Sequence, residues 1–196
     1  MMKYTTYLAG AIEADKNMTA WRKDVTEKLI GSPILIYDPT EQECGKVGKT
    51  PEEYIKYITG LKQGGHWAKF MGEMNKIWLG KLGPSQKDSL FDLFKLLRYR
   101  KVIDSNLKED MAFWGDYEAV VRSDFIIAYM KKGVQTIGTI AEIFLAMLLR
   151  IPVYLVIDTP KMETNSSLLY YVLYSGGEVF YTMNECIKHI KETYKD

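Results

Sequence analysis

Apolar residues recur in two rhythms along this chain, and each rhythm predicts a different kind of element. Short runs rich in β-branched and aromatic residues are typical of buried strands. These runs are 4–9, 34–37, 125–130, 153–157 and 178–181. Apolar residues spaced about four positions apart instead predict helices, as Trp21, Val25 and Leu29 do within 15–29. Strand, helix and strand in succession form a βαβ unit, so we expect the first two strands to be parallel and largely buried.

The same alternation resumes in the second half of the chain. Helical patterns at 115–122, 139–150 and 166–174 separate the later strands, and a closing helix runs from Asn184, as its cap, to Tyr194. About five strands, each joined to the next through a helix, predict an α/β fold. We expect a five-stranded parallel sheet with helices on both faces and right-handed crossovers.

Residues 41–110 interrupt this alternation with segments that read as short helices. The sequence Thr50-Pro51-Glu52-Glu53 is typical of a helix start, with Thr50 as the cap and Pro51 at the first position. The glycines that divide the rest of the segment are Gly60, Gly64, Gly65, Gly80 and Gly83. We therefore predict a single domain, 1–196, with a helical insertion at about 41–110 between its second and third strands.

The insertion ends in an amphipathic pattern that carries a cluster of basic residues. These residues are Lys95, Arg98, Arg100 and Lys101. A run of this kind is usually a solvated helix face. The alternative is a site that binds a substrate phosphate or a partner.

The composition argues against three features: nucleic-acid binding by bulk charge, a zinc or histidine-rich metal site, and a membrane span. Lys and Arg total 26 and Asp and Glu total 25 among 196 residues, which argues against a protein that holds nucleic acid by bulk charge. Cys44 and Cys186 stand alone, and His66 and His189 are the two histidines, so a zinc or histidine-rich metal site is not expected. There is no signal-peptide pattern and no apolar run near the roughly 18 residues of a membrane span. We expect a soluble, cytoplasmic protein.

One short segment offers candidate chemistry. Gly138-Thr139-Ile140-Ala141-Glu142 enters an apolar helix just after the strand 125–130. This order places a carboxylate in the first helical turn at the carboxyl edge of the sheet, where open α/β sheets form ligand crevices. Such a carboxylate can act as a nucleophile on a sugar. The alternative is a capping box, in which Thr139 and Glu142 satisfy the first free amides of the helix.

Several short motifs occur in an order that resembles the nucleoside 2-deoxyribosyltransferase superfamily. This superfamily includes the 2'-deoxynucleoside 5'-phosphate N-hydrolases and relatives from phages. The resemblance covers about 4–40 and 115–182 and leaves the insertion outside. The motifs are Tyr7-Leu8-Ala9-Gly10, Trp21-Arg22, Asp38-Pro39, Asp116, Ser123-Asp124, Gly138-Thr139-x-x-Glu142 and Ile151-Pro152-Val153.

The resemblance implies a flavodoxin-like, Rossmann-like domain that cleaves the N-glycosidic bond of a nucleoside or nucleotide. Glu142 falls on the family's nucleophile, Tyr7 on the tyrosine that hydrogen-bonds it, and Asp124 on the aspartate that contacts the base or assists its departure. The residues that fall on substrate-binding positions are Gly10, Asp38, Gly138, Thr139 and Asn165. The resemblance also implies a homodimer or higher homo-oligomer, with Asn165 lent to a neighbouring subunit, and no metal or organic cofactor. Neither a membrane nor a nucleic acid is expected as a partner.

Two departures from the family pattern leave the reaction open. Many of the transferases have an aspartate six residues before the nucleophile, where this chain has Thr136. The phosphate-hydrolysing branch often has serines after the first strand, where this chain has Ala11-Ile12-Glu13. Transferase and hydrolase activity therefore remain alternatives.

Each candidate residue also has a structural interpretation. Asp124 can serve the start of a strand, Tyr7 can be a core residue, and Asp38 can belong to a turn. If Glu142 is only a cap, the chain is a non-catalytic nucleotide-binding or sensing module on the same fold.

Overall fold

The computed structural model describes residues 3–12, 19–41, 49–80, 114–134, 136–160 and 163–195. Within them, five strands form one parallel sheet in the order β2-β1-β3-β4-β5. The strands are β1 (Tyr4–Gly10), β2 (Ile34–Tyr37), β3 (Phe125–Met130), β4 (Val153–Ile157) and β5 (Glu178–Phe180). This confirms the predicted parallel α/β fold, and the strand order is the flavodoxin-like one.

The chain divides into two compact units. One unit holds the sheet and combines Met1–Asp38 with Ser123–Asp196, and the other runs from Pro39 to Arg122. The helices of the first unit are α1 (Ala20–Lys28), α5 (Ile137–Leu148), α6 (Ser166–Tyr174) and α7 (Met183–Thr193). Those of the second are α2 (Pro51–Gln63), α3 (Trp67–Leu79) and α4 (Asp116–Arg122). The second unit is thus helical in its described part, and it begins and ends outside the predicted bounds of 41–110.

Helices α1 and α7 cover one face of the sheet over a continuous apolar core. Alternate strand residues such as Leu8, Phe125 and Tyr154 point to this face and pack against Val25 of α1 and Ile187 of α7. The intervening strand residues point to the opposite face, where α5 and α6 pack. Helices on both faces explain why β1, β3 and β4 are largely buried along their length rather than alternating between buried and exposed residues.

Helix α2 begins as the sequence predicts. The hydroxyl of Thr50 accepts from the Glu53 amide, and the Glu53 carboxylate accepts from the Thr50 amide at 2.8 Å, which makes a complete capping box. The expected break at Gly60 is wrong, because α2 continues through this glycine to Gln63. Ile58 and Leu61 on either side are buried against α3, and this packing outweighs the low helix propensity of one glycine.

Two predicted helix starts also shift. Helix α7 is capped by Thr182 and not by Asn184, because the Thr182 hydroxyl and the Glu185 carboxylate form a reciprocal capping box. Helix α5 begins at Ile137, two residues before the predicted start at 139. The start of the first helix at Asp15 and the basic cluster at 95–101 lie outside the described residues.

Candidate active site

The strand order places the ligand crevice of this sheet between β1 and β3. From β1 the chain passes through α1 to β2 on one side, whereas β3 lies on the other side of β1. In open α/β sheets, ligands bind outside the carboxyl ends of the strands at such a reversal of order. Here β1 ends at Gly10, whose partner in the register is Tyr129, the residue before Met130 at the end of β3. Helix α5 follows β3 in the sequence and begins at Ile137, seven residues after β3 ends at Met130.

A buried hydrogen bond joins the first strand to α5. The hydroxyl of Tyr7 donates to Oε1 of Glu142 at 2.7 Å, across 135 residues of sequence. Tyr7 is 1% exposed and Glu142 is 6% exposed. The structure thus brings together the two residues that the motif order links, while their chemical roles stay predictions.

The sheet holds the Tyr7 ring in place. Tyr7 pairs in register with Tyr37 of β2 on one side and with Ile126 of β3 on the other. The rings of Tyr7 and Tyr37 stack with centroids 5.7 Å apart and an interplanar angle of 23°. A rigid strand and a stacked neighbour therefore fix where the Tyr7 hydroxyl meets the carboxylate.

The predicted capping box at Thr139 is wrong. Thr136 is the N-cap of α5 and makes no side-chain cap hydrogen bond, so Gly138 and Thr139 lie inside the first turn and Thr139 is buried. Glu142 is the sixth helical residue and lies in the second turn, not in the first as predicted. The field of the helix N-terminus falls off within the first turn, so it contributes little to the Glu142 carboxylate, which accepts from the Tyr7 hydroxyl.

A buried arginine, Arg22, contacts both the end of β1 and the residue that follows β2. Arg22 is fully buried, and its Nη2 donates to the Gly10 carbonyl oxygen at 2.8 Å. Its Nε lies 3.5 Å from Oδ1 of Asp38, and its guanidinium centre lies 4.6 Å from the Trp21 ring centroid. Asp38, expected to bind substrate, is thus an ion-pair partner of Arg22.

The sequence analysis did not predict that Arg22 is buried, although its position in the helix indicates it. Arg22 precedes Val25 by three residues and Leu29 by seven, which places all three on one face of α1. An arginine in the apolar stripe of a helix indicates a buried ion pair, because a buried charge requires a partner.

Gly10 has a packing role in this structure. A Cβ at this position would lie 2.7 Å from a ring carbon of Trp21 and 3.3 Å from Nη2 of Arg22. The glycine therefore allows α1 to approach the end of β1. The expected role of Gly10 in substrate binding is a separate one and stays a prediction.

Asp124 lies at the amino edge of the sheet. Its Oδ2 accepts from the Thr5 amide at 2.9 Å and from the Thr5 hydroxyl at 3.2 Å, and its own amide donates to the Thr5 carbonyl at 2.8 Å. Because the strands are parallel, this edge is opposite to the one that Gly10 ends. The contacts match the strand-start alternative, and its assignment to the base stays a prediction.

Asn165 caps α6. Its side-chain oxygen accepts from the Ser167 amide at 2.9 Å and from the Leu168 amide at 3.4 Å. These bonds satisfy two free amides of the first helical turn. The side chain is exposed in this chain, and the predicted contact with a neighbouring subunit stays a prediction.

The described residues contain no group of three His, Cys, Asp or Glu side chains that could hold a metal ion. Nor do they contain a helix that is long and apolar enough to cross a membrane. Cys186 is free and fully buried on the α1/α7 face, where burial, with a smaller effect of Glu178, raises the pKa of its thiol to about 12. A thiol with this pKa is a poor nucleophile at neutral pH.

Neither a protein-family model nor a curated protein sequence matches the chain.

Proposed function

We propose that this protein cleaves or transfers the N-glycosidic bond of nucleosides or nucleoside monophosphates, with Glu142 as the nucleophile. The observation that carries the proposal is the buried hydrogen bond of 2.7 Å between Tyr7 and Glu142. It lies on the α5 side of β1, in a sheet whose strand order predicts a crevice between the carboxyl ends of β1 and β3. The motif order supports the same assignment.

A carboxylate held in this way suits glycosidic chemistry. Cleavage passes through an oxocarbenium-like state that places positive charge on the sugar, and a carboxylate beside C1' stabilises that charge. The Tyr7 hydroxyl supports this role because it fixes one carboxylate oxygen and thereby the rotamer of Glu142. Positioning of this kind lowers the barrier, since the nucleophile does not have to be ordered during the reaction.

The proposed reaction has two steps. An oxygen of Glu142 forms a bond to C1' while the bond from C1' to the base nitrogen breaks, and the electron pair leaves with the base, which takes up a proton. Water, or the nitrogen of a second base, then attacks C1' and releases the Glu142 carboxylate. Water gives a hydrolase and a second base gives a transferase.

The motif order predicts that Asp124 contacts the leaving base or assists its departure. Its carboxylate accepts from the Thr5 amide and hydroxyl at the amino edge of the sheet, so the nucleophilic role of Glu142 is proposed independently of Asp124. The proposal includes a homodimer or higher homo-oligomer, and it requires no metal or organic cofactor.

One observation favours a second candidate function, a non-catalytic nucleotide-binding module. Glu142 is 6% exposed and already has a hydrogen-bond partner, as a carboxylate with a purely structural role would have. In that case the Tyr7–Glu142 bond only joins α5 to the sheet.

Base release separates the two candidates. The purified protein is incubated with deoxy- and ribonucleosides and their 5'-monophosphates, with and without a second free base, and the products are separated by chromatography. We expect free base from the wild type and a loss of at least about 1,000-fold in Glu142→Gln, because the amide cannot act as a nucleophile. Glu178→Gln is the matched control, because it makes the same change at an exposed residue of β5.

Each outcome decides between the candidates. A new nucleoside after addition of the second base identifies a transferase. Turnover that survives in folded Glu142→Gln contradicts the nucleophile. Absence of turnover across the panel, together with a thermal shift produced by one of the nucleotides, supports the binding module.

A further inference from the structure

Two contacts of Arg22 fix the strands on either side of the Tyr7 ring. Its Nη2 donates to the Gly10 carbonyl oxygen at 2.8 Å, and Gly10 follows Tyr7 by three residues on β1. Its Nε lies 3.5 Å from Oδ1 of Asp38, which directly follows Tyr37 at the end of β2. One guanidinium group therefore holds both strands just beyond the point where Tyr7 and Tyr37 pair.

Tyr37 carries the position of β2 to the candidate nucleophile. The rings of Tyr37 and Tyr7 stack with centroids 5.7 Å apart, and the Tyr7 hydroxyl donates to Oε1 of Glu142 at 2.7 Å. All three side chains are buried, and closely packed interiors transmit a displacement because they compress little. A contiguous row of contacts thus runs from Arg22, on the α1 side of the sheet, to the carboxylate on the α5 side.

The position calls for an arginine in particular. The side chain of Arg22 is fully buried, so its charge needs a partner, which Asp38 supplies. A guanidinium presents several N–H donors in one rigid plane and can hold a carbonyl oxygen and a carboxylate at the same time. The ammonium of a lysine is a compact charge on a flexible stem and does not reproduce this fork. The Trp21 ring, 4.6 Å from the guanidinium centre, restricts the plane further.

We propose that Arg22 is a positioning residue that orders the Tyr7 hydroxyl, and through it Glu142, from the opposite side of the sheet. Because its guanidinium is fully buried, Arg22 acts through the two strand ends and not by contact with a substrate. Its effect on turnover rests on the proposed function. The ordering of the Tyr7 hydroxyl is a property of the folded chain and is measurable without a substrate.

A second arginine supplies a matched control with similar contacts. Nε of Arg122 donates to Oε1 of Glu118 at 2.7 Å, and its guanidinium centre lies 5.1 Å from the Trp114 ring centroid. These three residues belong to the second unit, and the ion pair lies within one helical stretch, four residues apart. Arg122→Lys therefore makes the same chemical change as Arg22→Lys in an ion pair that does not include a strand end.

The first test follows the Tyr7 hydroxyl proton by NMR and needs no substrate. A buried, hydrogen-bonded proton exchanges with water when the structure around it opens, and Tyr7→Phe identifies the resonance by deleting it. We expect Arg22→Lys to speed this exchange by at least about 10-fold and Arg122→Lys to leave it unchanged. The hydroxyls of Tyr154 and Tyr194, 3.1 Å apart on the other face, are an internal reference that should keep its exchange rate.

The second test uses turnover in a double-mutant cycle. We expect Arg22→Lys to lower kcat for base release by about 10-fold, because the nucleophile is less well ordered. In a Tyr7→Phe background the same replacement should lower kcat by less than about 3-fold, since the group through which Arg22 acts is gone. A purely structural arginine would instead lower kcat by the same factor in both backgrounds.

Three results would overturn the inference. They are unchanged exchange of the Tyr7 proton in folded Arg22→Lys, equal acceleration at Tyr154, and equal kcat losses in the two backgrounds. If Arg22→Lys does not fold, Asp38→Asn replaces it, because this change weakens the same ion pair at nearly constant size, and faster Tyr7 exchange is again required. Faster exchange in a protein that releases no base would support the ordering of Tyr7 by Arg22 and contradict the proposed function alone.

Discussion

The two faces of the central sheet are built from different chemistry. Under α1 and α7 the strands present a continuous apolar and aromatic core that includes Leu8, Phe125 and Ile127. Under α5 the same strands bury a tyrosine hydroxyl and a carboxylate that bond to each other. Burial of polar groups is costly unless they are paired, and these two groups pair with each other. The function proposed above uses the second face, whereas the first face serves the stability of the fold.

The largest expected effect tests the apolar face. Phe125 is fully buried and stacks on Tyr194 with ring centroids 4.2 Å apart. We expect Phe125→Ala to reduce the free energy of unfolding by about 3–5 kcal/mol, because it removes a large side chain and leaves a cavity. Urea denaturation measures this loss, and a loss below about 1 kcal/mol would contradict the role of this face as the stabilising core.

A smaller effect tests how well the apolar face excludes water. Burial raises the pKa of the Cys186 thiol from an ordinary value near 9 to about 12. Between these values the unfolded chain loses the thiol proton while the folded chain keeps it. The stabilising contribution is therefore fully present below pH 9 and is lost as the pH rises toward 12. From pH 8 to pH 10 this one group lowers the free energy of unfolding by about 1.4 kcal/mol.

Cys186→Ala checks the origin of this pH dependence. The variant starts from a lower stability because of the deleted sulfur, but its decline between pH 8 and pH 10 should be smaller than that of the wild type by about 1.4 kcal/mol. The comparison uses the difference between the two pH values for each protein. Equal declines in the two proteins would show that the thiol is accessible to solvent.

The smallest expected change in stability compares two tyrosine hydroxyls on opposite faces. The hydroxyl of Tyr7 bonds Glu142, and that of Tyr154 lies 3.1 Å from the Tyr194 hydroxyl. We expect Tyr7→Phe and Tyr154→Phe each to lower the free energy of unfolding by about 1 kcal/mol. Only Tyr7→Phe should lower kcat for base release, by about 10- to 100-fold, because it frees the rotamer of the nucleophile. Similar kcat values in the two variants would make the Tyr7 hydroxyl purely structural.

The strands were the most predictable part of this fold. The bounds of β2, β3 and β4 agree with the predicted 34–37, 125–130 and 153–157, because strands buried on both faces appear as uninterrupted apolar runs. Their spatial order does not follow from such runs, since any order of buried parallel strands shows the same local pattern. The flavodoxin-like order came from the motif resemblance.

The sequence predicted which two residues of the candidate site pair, but it did not predict where the helix that carries Glu142 begins. The pairing of Tyr7 with Glu142 spans 135 residues and came from the motif order, not from a local pattern. The start of α5 was missed because Thr139 and Glu142 have the spacing of a capping box, whereas the helix of the structure begins two residues earlier and both side chains are buried. Asp124 directly precedes β3, and a residue that precedes a parallel strand lies at the amino edge of the sheet. Its position therefore follows from the sequence, while its role stays a prediction.

The most direct test of the central claim is a search for the covalent intermediate on Glu142. The wild type and Glu142→Gln are mixed with the nucleoside or nucleotide that gives the fastest base release, quenched in acid, and digested for peptide mass mapping. We predict a glycosyl adduct on the wild-type peptide that contains Glu142, with no adduct in the variant. Base release by a folded Glu142→Gln protein, or wild-type turnover with an adduct on a different residue, would contradict the assignment of Glu142 as the nucleophile.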